Sequence, residues 1–220
     1  METTTEPEPA GVWLSVPDGY AALPLDDIAE TIAATGRLVA ELGTPEQREA
    51  APYVLGSLNM FLPALAERRA VYCGVGRHLS AIDGRLITSS LVATMLEFPS
   101  RRNPRLLLAE LLQGKVGARE AGQTDLVDLP NGPAMFFERT LTLPAPAIPG
   151  RHVPAGGTDS PVWQLEASVP SPEGDKLLTI ELATPFAEHG PQYRSMIVAM
   201  AAGVGFHPPA EDDPLSALLG

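Results

Sequence analysis

Hydrophobic spacing switches repeatedly between periods of two and of three to four along the chain, and each switch predicts an element. The run Val12-Trp13-Leu14-Ser15-Val16 predicts a short strand, closed by the turn Pro17-Asp18-Gly19. Leu25, Ile28, Ile32, Val39 and Leu42 then fall at helical spacing, with Asp26, Asp27 and Glu30 expected in the first turn and Gly43 as the stop. Thr44-Pro45-Glu46-Gln47 reads as a capping box opening a second helix to about Arg69, which Pro52 and Pro63 should bend or interrupt. The two make a helical hairpin over 25–69.

Period two takes over at Val71, Cys73 and Val75. Asp83-Gly84 marks a hairpin, and a long strand is expected from Leu86 to about Phe98. Asn103-Pro104 opens a helix that Gly114 should close, with Leu107, Leu108, Leu111 and Leu112 as its apolar face. Strands follow at Asp125–Leu129 and Ala134–Leu143 around Pro130-Asn131-Gly132. Residues 144–161, with five prolines and three glycines, read as a long loop, a candidate lid over a ligand. Trp163, Leu165, Ala167 and Val169 pair across the turn 171–175 with Leu178, Ile180 and Leu182. A last helix is expected over about 190–203, with Tyr193, Met196, Ile197 and Met200 facing inward. Strands arriving as hairpins predict an α+β fold: a mostly antiparallel β-sheet of six or seven strands flanked by helices, as one domain over 12–207.

Two stretches carry a family likeness. Val16-Pro17-Asp18-Gly19-Tyr20 resembles the entry to the PsbP-like fold. Thr179 to Pro185, Gln192-Tyr193 and Val204-Gly205-Phe206 are similar to that family's last strand, closing helix and final short strand. LpqN-type lipoproteins of high-GC bacteria look closest. The resemblance implies a sandwich without catalytic residues and a binding or scaffolding role, and it carries over no site residue. The hairpin at 25–69 is larger than the family pattern, and a lipoprotein would begin with a signal and a lipidated cysteine, neither of which stands here.

Composition narrows the function classes. The chain has 220 residues and is 45% hydrophobic, enough for a core. Its net charge of −12 disfavours a nucleic-acid groove. Six of those charges belong to the ends 1–11 and 208–220, read as acidic tails. One cysteine and four scattered histidines predict no metal site and no cofactor. Neither a secretion signal nor a membrane span is expected, so the cytoplasm is the expected compartment.

Catalytic groupings are also missing. Gly-x-Ser-x-Gly and His-Glu-x-x-His are absent, and Gln113-Gly114-Lys115-Val116-Gly117 lacks the residues of a phosphate loop. His78, His152, His189 and His207 read as strand-end, loop or helix-end positions, and Glu138 and Glu166 as solvent-facing strand residues beside Arg139 or Lys176.

The stronger signal is surplus apolar surface. Residues 50–66 hold no charge. Val54, Leu58, Phe61, Leu62 and Leu65 form one stripe, expected in the core. Tyr53, Met60 and Ala64 point elsewhere, towards a partner. Leu215, Leu218 and Leu219, after Asp213-Pro214, form a second candidate contact as a short docking helix. The expectation is a non-enzymatic adaptor or chaperone-like protein with a protein partner, itself included as a homodimer. The alternatives are an enzyme or small-ligand binder using the 144–161 lid, and a structural subunit of a larger assembly.

Overall fold

The computed structural model describes residues 11–144 and 159–207. Seven strands form one antiparallel sheet: β1 (Tyr20–Ala22), β2 (Ala70–Leu79), β3 (Leu86–Glu97), β4 (Gln123–Leu129), β5 (Gly132–Pro144), β6 (Asp159–Pro170) and β7 (Lys176–Thr184). Their order is β1-β2-β3-β7-β6-β5-β4. The β2–β3 and β6–β7 hairpins thus join at the β3–β7 seam, where Leu91 stands opposite Leu182 and Ala93 opposite Ile180.

One face is apolar because the alternation of each strand delivers its large residues to the same side. Leu91, Leu182 and Leu165 lie in one row across the sheet, and Ala93, Ile180, Ala167 and Phe136 in the next. Helix α4 (Arg194–Ala202), entered through a 3-10 helix over Ala187–Tyr193, covers this face with Ile197 and Met200. On the opposite face, α3 (Pro104–Gly117) lies against β5 and β6, and the end of α2 (Pro45–Glu67) lies against β2. The last helix is therefore shorter than the expected 190–203, because Pro191 and its neighbours wind as 3-10, and α3 runs past Gly114 to Gly117.

Several local expectations are corrected. Val12–Val16 is not a strand: only Trp13 bridges, exchanging both backbone hydrogen bonds with Gly205 at 2.8 and 3.0 Å. Its alternation packs Val12, Leu14 and Val16 onto the core without a ladder partner. Helix α1 spans Ile28–Leu42, so Leu25 and Asp26 precede it and Asp27 occupies the cap with φ 47° and no side-chain cap bond. Thr44 and Gln47 do form the reciprocal capping box, at 2.8 and 3.2 Å. Pro52 and Pro63 nevertheless lie within one continuous 23-residue helix. The carbonyls each proline leaves unbonded belong to exposed residues, Arg48 and Asn59, which water can reach. Pro144 pairs with Asp159, so both ends of the expected 144–161 loop are strand, and 145–158 lie outside the described residues, His152 with them.

Candidate docking surface

Helices α1 and α2 form an arm. They turn at Gly43-Thr44 and pack along a seam at three- and four-residue spacing: Ile28, Ile32, Gly36 and Val39 on α1, and Ala51, Leu55, Leu58 and Leu62 on α2. The helices approach closely at Gly36, where an added Cβ would stand 3.4 Å from a Leu55 methyl. A small cluster ties the arm to the sheet, centred on Leu62, Leu65 and Cys73 with Leu25, Ile28 and Val92 around it. Burial there pushes the Cys73 thiol pKa up.

Beyond this base the arm shelters little. No residue of α1 is buried, and in α2 only Leu62 and Leu65 are. Leu42 is 78% exposed and Met60 77%. One flank forms a groove of about 560 Å³ lined chiefly by Leu38, Val39, Leu42, Val54, Leu55 and Leu58. Val54 and Phe61, expected in the core, are 55% and 51% exposed, and Leu58 is half-buried. The apolar stripe is real, but only its last two turns reach the body. Tyr53, Met60 and Ala64 are all exposed on the side of α2 away from the α1 seam. Leu215, Leu218 and Leu219 lie outside the described residues.

Titratable side chains elsewhere meet in arrangements the spacing did not reveal. Ser80 Oγ lies 2.8 Å from His189 Nδ1, with Asp83 and Glu188 carboxylates 3.9 and 3.5 Å from Nε2. The residue types resemble a hydrolytic triad, but Ser80 and His189 are 4% and 3% exposed. Oγ also accepts the Ile82 N–H at 3.0 Å, so the pair acts as a clamp fixing the β2–β3 turn to the 3-10 helix. Asp83 thus stands by His189, and His78 lies between the rings of Tyr20 and Tyr193 at 5.0 and 5.8 Å. Burial lowers the His78 pKa and raises that of Tyr20 to about 12, although Tyr20 Oη meets Ser89 Oγ at 2.8 Å.

Glu138 and Glu166 are not a pair. Glu138 lies in the row of Leu165 and Glu166 in that of Phe137, on opposite faces of the sheet. Glu166 accepts from Lys115 Nζ at 2.9 Å. Glu138 accepts from Arg194 at 2.6 and 2.7 Å and from the Trp163 indole N–H at 2.9 Å. Hydrogen bonds from Arg194 chiefly, and then from Trp163, hold its carboxyl below the ordinary 4.5. A depressed carboxyl stabilises the fold fully above the unfolded value and loses that contribution as pH falls through the folded one. Glu138→Gln should therefore flatten the acid side of the stability profile below about pH 4.5, read by urea midpoints across pH. An unchanged profile would remove this ion pair from the acid response.

Among the described residues no group of three or more metal-ligating side chains converges, and no helix is long and apolar enough to cross a membrane. No family model, curated protein or solved structure matches the chain significantly. The arm keeps large apolar side chains in water that its own packing does not bury.

Proposed function

We propose that this chain is a non-enzymatic binding protein, an adaptor or chaperone-like factor, that engages a protein partner through the α1–α2 arm. The observation that carries the reading is the row Leu38, Leu42, Val54 and Phe61, large apolar side chains facing water along one flank of helices that bury almost nothing. Scattered exposed apolar residues are ordinary, but a contiguous patch marks an interaction site. Tyr53 and Met60 extend the same surface around α2, and a flexible thioether suits a surface that must adapt to its partner. A cytoplasmic setting belongs to the proposal and is supported by the single buried cysteine. Kinship with PsbP-like proteins belongs to it as well, supported by an antiparallel sheet flanked by helices.

Photo-crosslinking in cells tests this. A benzophenone side chain at position 42 or 60 should give a discrete protein adduct, abolished by Val54→Asp. The same group at the exposed Glu110 of α3 should give none. Equal labelling at all three positions, or none at the arm, would overturn the assignment.

A further inference from the structure

We infer that the occupant of the arm's apolar flank is a second copy of this chain, the two arms packing side by side about a two-fold axis as a four-helix bundle. This rests on the docking reading above and names its partner.

The flank is uncharged on both helices. On α1 it comprises Thr31, Ala34, Thr35, Leu38 and Leu42, and on α2 Gln47, Ala50, Val54, Ser57 and Phe61. A partner recognised by charge would find nothing here to pair with. Across 28–67 the arm has five acids (Glu30, Glu41, Glu46, Glu49, Glu67) against two bases (Arg37, Arg48), which opposes adsorption to an anionic lipid surface.

Size and shape favour a copy of the same surface. On the flank, Leu38, Leu42, Val54 and Phe61 are each about half exposed or more. Together they offer on the order of 400 Å² of apolar surface, which the small residues beside them extend towards the roughly 800 Å² per partner of a standard interface. From Gln47 to Phe61 the flank runs ~21 Å at 1.5 Å per residue, about four turns, enough to align two antiparallel pairs. Leu38 and Leu42 on α1 and Val54 on α2 stand on either side of the 560 Å³ groove, and Phe61 continues the α2 ridge two turns further on. Ala34, Ala50 and Ser57 beside them are small enough for close approach. Ridges flanking a groove on one surface can interdigitate with the same surface turned through a two-fold axis. A two-helix layer has one internal seam, and pairing two layers gives each helix a second buried side.

Sedimentation velocity and light scattering on the full chain test this at micromolar concentration. Wild type should be a dimer. Leu42→Asp and Val54→Asp, each placing two carboxylates in a two-fold interface, should weaken it by more than about 100-fold while circular dichroism stays unchanged. Both positions are more than half exposed, so the protomer tolerates the change. A chain ending at residue 207 should still dimerise. A dimer indifferent to both aspartates would overturn the inference. So would one lost on removing 208–220, which would make the Leu215–Leu219 segment the occupant. A monomeric wild type would overturn it too, and the in-cell cross-links then separate the two ideas. Adducts to another protein would leave the docking reading standing, whereas monomers with no adducts would remove both.

Discussion

An alanine at Gly174 should cost on the order of 3–5 kcal/mol of stability, the larger part from a collision and the rest from backbone strain. Gly174 sits in the β6–β7 turn at φ 70°, and a Cβ there would stand 1.6 Å from the carbonyl oxygen of Arg102. That oxygen is backbone and cannot swing aside. The Arg102 N–H donates to Gly174 O at 3.0 Å, and the Phe98 N–H donates to Asp175 O at 2.7 Å, so the turn is stitched to the segment leading into α3. Ser171 Oγ holds the same turn from within, accepting the backbone N–H groups of Asp175 and Lys176 at 3.2 and 3.0 Å. Relieving the clash means breaking this stitching. Gly84 provides the control: it has the same φ of 70°, but nothing lies within 4 Å of its would-be Cβ. Gly84→Ala should cost only the strain, roughly 1–2 kcal/mol. Urea midpoints at unchanged slope measure both. Equal losses at the two sites would show that the contact with Arg102 yields and that φ alone sets the cost.

What the sequence displayed and what it hid divide along the range of the interactions. Trp163, Leu165, Ala167 and Val169 read as one buried strand face, and they are one, because alternation within a strand is a local property. Thr44 and Gln47 read as a capping box for the same reason. Facing relations between strands are not local. Glu138 and Glu166 are both even-numbered, yet the antiparallel register places Glu138 beside Leu165 and Glu166 beside Phe137, which puts the two carboxylates on opposite faces. Ser80 and His189 stand 109 positions apart, and no spacing rule announces their contact. Hydrophobic Val54 and Phe61 fall on a helical stripe with Leu62 and Leu65, but a stripe does not say how far along the helix the body reaches. It reaches only the last two turns. The surplus at Tyr53 and Met60 was visible for a converse reason: those residues lie off the stripe, where no packing within one helix pair could absorb them.

Leu62 carries the arm's connection to the sheet, and Leu62→Ala should show how separable the two are. Its side chain is fully buried in a cluster of three, together with Leu65 and Cys73, outside the large core of β3, β5, β6, β7 and α4. Truncating a fully buried leucine removes roughly 3 kcal/mol, part from lost transfer and part from the cavity left behind. In a large core that loss would lower global stability. Here the cluster is the arm's main apolar anchor, so the loss should fall on the arm alone. Backbone amides of α1 and α2 should exchange about 100-fold faster, while those of β6 and β7 keep their protection. The Cys73 thiol, 3% exposed in the intact fold, should at the same time become reactive towards a disulfide reagent. Pairing of arms would add stability by mass action and mask the effect, so the comparison belongs in a Leu42→Asp background. If β6 and β7 lose protection in step with α1 and α2, the arm and the sheet unfold as one cooperative unit. If the arm opens alone, its apolar flank is presented by a segment that moves independently of the sheet, and Leu62 sets how rigidly that flank is held.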